Sequence, residues 1–302
     1  MTIKFRDFNW NNDFLLVRDF LIQTYSMTKS FENWIPQKFE NRKFGPGGTV
    51  YQDEEDDLVK IWVDESFDDK KIVAVTVLNS SGANWINIHP NYSHLEKQLI
   101  EWIEKQIINK EEFSNFYVLE TNQKRIDIIQ ELGYKNLGCI EYTRTRPLDF
   151  SIVEVNLPEK YSIRNINPSN DFLKYKQVIS AVFPHCSNMT QEIFNIYTTA
   201  SFFNEDLDLV VVAPDGNFAA FCTVRLDPIS KIAEFEPVGT HPNHRKLGLG
   251  KAVMLEGLKR LQKYQPKAIV IVDAANTEGA NRLYDSIGFT DKIAIYHWQK
   301  KL

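Results

Sequence analysis

"HPNHRKLGLGKAVML", residues 241–255, decides how this sequence reads. The cation Arg245 is followed by Gly248, Leu249 and Gly250 and then by an apolar-periodic run, so a loop passes straight into a helix. Gly248 and Gly250 allow close backbone approach and φ values closed to other residues. A helix that starts there aims unpaired N–H groups and its positive dipole end at whatever lies above. Arg245, Lys246 and Lys251 add charge-assisted donors, and the whole is an anion site of the phosphate-binding kind. A P-loop would need Gly in place of Arg245 and Ser or Thr in place of Ala252. A dinucleotide fingerprint would need Gly in place of Val253, so both readings fail.

The flanks alternate strand and helix. "YSIRNI" (161–166) reads as a strand, followed by helices over 169–183, capped by Ser169 or Asn170, and over 190–203. "LDLVVVA" and "FAAFCTVRL" flank the hairpin signal "PDGN" (214–217), and "KIAEFEPVGTH" (231–241) is the strand that leads into the anion loop. After the loop helix come the strand "KAIVIVDA" (267–274), a helix over 279–287 and the strand "GFTDKIAIYHW" (288–298). Pro237 cannot donate to a ladder and Gly239 permits a bulge, so the strand over 231–241 is expected to part from "AIVIVDA". The parted edges would leave amide groups free for an extended, amide-rich ligand. Strand alternation puts Glu234, Glu236, Val238 and Thr240 on one face.

The first half repeats this pattern. His89-Pro90-Asn91 matches His241-Pro242-Asn243, and Gly133-Tyr134 matches Gly288-Phe289, in the same order and at nearly the same offset. At the anion loop, however, Ser93 replaces Arg245, Glu96 replaces Gly248 and Gln98 replaces Gly250. A phosphate there would meet side chains and a negative charge, so the first half is expected to keep the fold and lose the site. Two prolines bracket the junction at "RPLDFSIVEVNLPEK" (146–160).

Arg245, Gly248 and Gly250 stand at the Q/R-x-x-G-x-G/A motif, and Asn276, Asn281 and "LYDSIGF" (283–289) at the Asn…LYxxxGF signature, of the GNAT superfamily of N-acetyltransferases, which the chain resembles. The resemblance covers residues 160–302 and reaches residues 1–150 through the repeat. It implies a mixed α/β (α+β) fold of two tandem acyl-CoA N-acyltransferase-like domains, each a mostly antiparallel sheet flanked by helices with splayed central strands. Residues 1–152 would be the degenerate domain, without cofactor, and 158–302 the active one. The co-substrate implied is acetyl-CoA, on Val238, Gly239, Thr240, Arg245, Lys246, Leu247, Gly248, Leu249, Gly250, Lys251, Asn276, Asn281 and Tyr284.

The reaction implied is direct attack of a primary amine in a ternary complex, without a covalent enzyme intermediate or a metal. An amine of pKa about 10 must lose a proton before it attacks. Glu236 is the first choice of general base, directly or through water, with Glu234 second. The N–H near Val238 would polarise the thioester carbonyl, and in the matching motif the hydroxyl of Tyr284 protonates the departing thiolate. Asn276 and Asn281 either contact the cofactor or cap the short helix. "FPHCSNM" (183–189) is expected to line the acceptor pocket, whereas "FGPGG" (44–48) lacks basic or helical context and reads as a loop.

Charge and cysteines bound the rest. A net charge of −5 gives no field to collect nucleic acid. Three scattered cysteines fit a reducing cytoplasm rather than a disulfide framework, and no apolar run approaches a membrane span. The acidic surface favours a cationic small-molecule acceptor such as a polyamine, an aminoglycoside or an amino-acid derivative, with the protein a monomer or homodimer. The alternative is a non-catalytic acyl-CoA-binding or regulatory protein.

Overall fold

The computed structural model describes residues 2–45, 57–66, 71–79, 82–154 and 156–302, so the "PGG" of 46–48 lies outside the described residues. The first half runs β1 (Ile3–Asp7), α1 (Trp10–Thr28), α2 (Pro36–Phe44), β2 (Asp57–Asp64), β3 (Lys71–Asn79), β4 (Ala83–Ile88), α3 (Glu96–Ile107), β5 (Phe113–Leu119), α4 (Gln123–Glu131) and β6 (Lys135–Thr145). The second half repeats the order as β7 (Ser162–Asn165), α5 (Phe172–Val182), α6 (Gln191–Tyr197), β8 (Asp208–Val212), β9 (Phe218–Leu226), β10 (Ile232–Thr240), α7 (Leu249–Leu261), β11 (Ala268–Ala275), α8 (Glu278–Asp285) and β12 (Asp291–Lys301). The duplication read from two short matches thus extends through every α-helix and strand. The motif His-Pro-Asn does the same work in both copies: His89 Nδ1 and His241 Nδ1 each accept from the amide two residues on, at 3.2 Å.

By their contacts the residues form two compact units, one of Met1–Phe39, Gln52–Thr143 and Ile293–Leu302, the other of Glu40–Tyr51 and Arg144–Lys292. These differ from the contiguous segments 1–152 and 158–302 because β12 pairs antiparallel with β5, Ile295 to Lys301 against Leu119 to Phe113. The first unit's sheet carries the strand order β1-β2-β3-β4-β5-β12. In the second unit the order is β11-β10-β9-β8-β7, and Arg146 N–H donates to Ile269 O on the outer edge of β11 at 3.0 Å. Among the described residues no helix is long and apolar enough to cross a membrane.

Within the second unit, alternation along β9 divides the sheet. Phe221 packs edge-on against Tyr175 of α5, and Arg225 lies over the Tyr197 ring of α6, so Phe221, Thr223 and Arg225 share one face. The other face takes α7, where a Cβ on Gly257 would sit 3.2 Å from Val224 and 3.3 Å from Phe235. The start of α5 differs from expectation. Asn167, not Ser169 or Asn170, accepts the amides ahead of α5, and Asp171 at the cap position is held in an ion pair with Arg164 at 2.5 Å.

Under α5 and α6 a buried carboxyl, Asp208, accepts from Thr223 Oγ1 at 2.5 Å. Burial pushes it up to about 6, although the Thr223 hydroxyl and Arg225 pull the other way. Its folded pKa thus lies above the unfolded one, so the folded state loses stability as pH rises from about 4 to about 6, by roughly 3 kcal/mol. Asp208→Asn, which keeps the acceptor without the charge, is expected to raise the melting temperature at pH 7.5 and to do so progressively less towards pH 4. Melting curves against pH check this, and an equal gain at both ends would count against it.

Candidate functional site

β10 and β11 pair in parallel through Ile232↔Ala268, Ala233↔Ile269 and Glu234↔Val270, and the register ends there although both strands continue. Along its other edge β10 follows β9 past a bulge between Phe235 and Val238 that contains the cis Glu236–Pro237 peptide. Pairing then resumes as Val238↔Cys222, Gly239↔Phe221 and Thr240↔Ala220, and His241 N–H donates to Ala219 O at 2.9 Å. Antiparallel alternation therefore turns the peptide groups of Gly239 to β9 and those of Val238 and Thr240 away from it, to the side where β11 has parted. The parting expected from Pro237 is present. Gly239 serves a different purpose from the bulge expected of it. A Cβ there would lie 2.5 Å from Phe221 Cζ and 2.9 Å from Val182, so it is glycine for close packing.

The anion loop leaves the end of β10. Lys246 and Gly248 both lie in the left-handed region, at φ 66° and 76°. Gly248 caps α7 with no side chain, whereas Thr277 Oγ1 caps α8 by accepting from Ala280 N at 3.3 Å. The first-turn amides of α7 thus have no side-chain cap. Gly250 differs from Gly248: its φ is ordinary, but a Cβ would meet Thr240 Oγ1 at 3.0 Å and Leu283 at 3.6 Å. Arg245, Lys246 and Leu247 are exposed, Lys251 is half-buried and Leu249 is buried. Arg245 Nε reaches back to Thr240 O at 3.4 Å, and His244 Nδ1 shares a 3.0 Å hydrogen bond with Tyr161.

The two candidate carboxylates differ in their surroundings. Glu234 is 1% exposed and paired with Arg225 at 3.6 Å, which ties it into the core below α6. Simple alternation fails further along, where the bulge inserts one residue after Phe235 and turns Val238 and Thr240 to the face opposite Glu234. Glu236 is half-buried at the parting, where burial raises its pKa, Arg225 lowers it and Asp273 raises it. Tyr284, on α8, is half-buried, and its phenol is pushed up to about 12 by burial and by the charge of Glu236, with Arg144 pulling down. Cys186, buried in "FPHCSNM", feels the Glu236 charge as well, and burial with that charge raises its thiol to about 11. Asn281 donates to Asn276 Oδ1 at 3.2 Å and accepts from Arg144 at 2.6 Å, so neither asparagine is the cap of α8.

Sequence reasoning missed Arg144, Arg225 and Asp273. Arg225 is a charged residue inside the otherwise apolar strand β9, which is an available signal, whereas Arg144 lies in the polar strand β6 and gives none. Asp273, at φ 52°, gave none.

The first unit has the same parting: β4 and β5 pair through Ala83↔Asn115 and Asn84↔Phe116, and the register ends there. Its free edge is filled by the chain. Asn33 accepts from Ile88 N–H and donates to Ile88 O, both at 2.9 Å, and Ile88 is the counterpart of Thr240. Asn87, the counterpart of Gly239, accepts from Trp34 N–H at 2.7 Å. Glu96 opens α3 where Gly248 precedes α7, and it is buried in an ion pair with Arg125, whose Nη2 also donates to Ile86 O at 3.1 Å.

Residues 176–289 match the model of the Acetyltransferase (GNAT) family. The mycothiol acetyltransferase of Arthrobacter sp. (strain FB24) is 28% identical over 171 residues, 54% of this chain and 53% of that protein. The chain thus spans about half the length of the curated relatives it matches. The GCN5-related N-acetyltransferase from Sphaerobacter thermophilus has a TM-score of 0.65 at 17% identity, covering 99% of this chain and 95% of that one. A tandem GNAT protein from the clavulanic acid biosynthesis pathway has a TM-score of 0.64 at 12% identity, covering 99% and 98%. At such identities these two structures speak for the fold, a mixed sheet with flanking helices.

Titration calorimetry of the whole chain with acetyl-CoA is expected to give one site per chain. Arg245→Ala should weaken it about tenfold, as loss of a charged hydrogen bond does. Gly250→Val should weaken it further, and Ser93→Ala should change nothing. Two sites of similar affinity would refute the difference between the halves.

Proposed function

We propose that the chain is an N-acetyltransferase that binds acetyl-CoA in the second unit and passes the acetyl group directly to the primary amine of a small-molecule acceptor. The observation that carries this is the parting of β10 from β11, with the peptide groups of Val238 and Thr240 turned into the gap. An extended amide-bearing arm can pair with such an edge as an added strand would. The left-handed entry at Gly248 and the close approach at Gly250 fit a pyrophosphate beside it. We assign the cofactor contacts to Val238, Gly239, Thr240, Arg245, Lys246, Leu247, Gly248, Leu249, Gly250, Lys251, Asn276, Asn281 and Tyr284.

Acetyl-CoA, when bound, supplies the thioester. Glu236 takes the proton of the acceptor ammonium, directly or through water, and Glu234 is set aside by its ion pair with Arg225. Val238 N–H donates to the thioester carbonyl oxygen, where negative charge develops. Tyr284 O–H donates its proton to the departing sulfur, a role its high pKa suits because the phenol stays protonated at neutral pH. The three cysteines are free thiols, in keeping with a reducing cytoplasm. The relatives' names support acetyl transfer, and the acidic composition favours a cationic acceptor.

A thiol-release assay with acetyl-CoA against polyamines, aminoglycosides and amino-acid derivatives tests the activity. Binding of acetyl-CoA without turnover across such a panel would favour the non-catalytic reading. Tyr284→Phe is expected to lower kcat about a hundredfold with KM for acetyl-CoA nearly unchanged. For Glu236 the base form is the active one and its pKa is raised, so kcat/KM should fall on acidification at a pH above the usual carboxylate range. Glu236→Gln should abolish that acid limb, and a limb that persists unchanged would remove Glu236 from the role.

A further inference from the structure

Arg144 opens the longer segment of the second unit, is fully buried and lies outside every motif of the acyl-CoA site. A buried guanidinium is costly unless its donors are met, and here both Nη groups find acceptors around one residue. Nη1 donates to Asp285 Oδ1 at 2.7 Å and to Phe289 O at 2.8 Å, and Nη2 donates to Asn281 Oδ1 at 2.6 Å. These acceptors flank Tyr284 in sequence, and the guanidinium carbon sits 5.6 Å from the centre of the Tyr284 ring.

A neighbouring arginine provides the contrast. Arg146, also buried, donates to Ile287 O at 2.9 Å and Phe150 O at 2.8 Å and lies over Phe150 at 5.1 Å. It ties down the turn that follows the same helix, and it is not among the charges that act on Tyr284. Staple and charge are thus divided between two residues, and Arg144 alone brings a cation to the phenol.

We propose that Arg144 is a positioning residue for Tyr284, holding the phenol in place on α8 and setting its readiness to give up a proton. This rests on the reading of Tyr284 as the acid. The groups that act on the phenol are Glu236 of β10 and Cys222 of β9, which both raise its pKa along with burial, and Arg144, which lowers it. Without Arg144 nothing among these opposes the rise, so proton donation becomes harder and the phenol titrates later.

The test places a ring-fluorinated, more acidic tyrosine at position 284 of the full chain and follows its titration by fluorine NMR. Arg144→Gln is expected to move that titration up by about one pH unit, the effect of losing an opposite charge at this range. In the chain with natural Tyr284, Arg144→Gln should lower kcat about tenfold and leave KM for acetyl-CoA within about twofold. Arg144→Lys, which keeps the charge without the fork, should shift the titration less and still lower kcat. Arg146→Gln should lower the melting temperature and leave the titration where it was.

The proposal fails if Arg144→Gln leaves titration and kcat unchanged, or if Arg146→Gln moves them equally. Should Arg144→Gln not fold, an Arg144→Lys variant with wild-type kcat refutes it. Full turnover by Tyr284→Phe, with the fluorotyrosine titration still moved by Arg144→Gln, would refute the acid reading and leave the coupling of Arg144 to the phenol standing.

Discussion

Two interior strands that stop pairing partway impose the constraint on which the second unit depends. Buried peptide groups need partners, and a strand that leaves its neighbour exposes a row of them. Beyond Glu234 and Val270 that row belongs to β10, and the bulge at Phe235–Val238 fixes which residues compose it. Glu234, the last residue of β10 in register with β11, is held in the core by Arg225, and Glu236 follows it at the gap. The anion loop issues from the end of β10 and α8 follows the end of β11, so cation-bearing loop and phenol arise from the two strands that diverge. One interruption of pairing thus supplies the backbone edge, the carboxylate and the phenol together.

The first unit supports this account because it retains the interruption and answers it differently. β4 and β5 part after two registered pairs, yet a carboxamide, that of Asn33, meets both peptide groups of Ile88. An asparagine side chain carries the donor and acceptor of an amide, so it satisfies the edge as an amide ligand would. At the head of α3 the Glu96–Arg125 pair supplies an internal anion where the second unit offers bare amides. Loss of the two glycines is therefore half of the difference, and the other half is a chain that fills its own groove.

The sequence disclosed what is local. His-Pro-Asn marked the loop in both halves, since histidine caps the turn through its ring nitrogen in each. Pro237 marked the parting because a missing N–H breaks a ladder wherever it occurs. Simple alternation puts Val238 and Thr240 on the face of Glu234, but the bulge adds one residue and turns them to the other. A glycine at 239 suggests a conformational device, but what it avoids is Phe221 and Val182, which are distant in sequence. The pairing of β12 with β5 and the reach of Arg144 to α8 likewise depend on which strands become neighbours, and hydrophobic periodicity carries no record of that.

The charge relations at the gap also impose an order on the proposed reaction. Glu236, while ionised, raises the pKa of Tyr284 and keeps the phenol protonated. When the carboxylate accepts the proton of the acceptor amine, that charge disappears and the upward push on the phenol goes with it. Arg144 remains, and its pull on the phenol is then opposed by burial and the Cys222 thiol alone. The phenol is therefore weakest as an acid before the base has acted and strongest just as the thiolate leaves. A permanent cation beside Tyr284 and a titrating anion across the gap would thus time one proton transfer to follow the other, with no movement of the backbone.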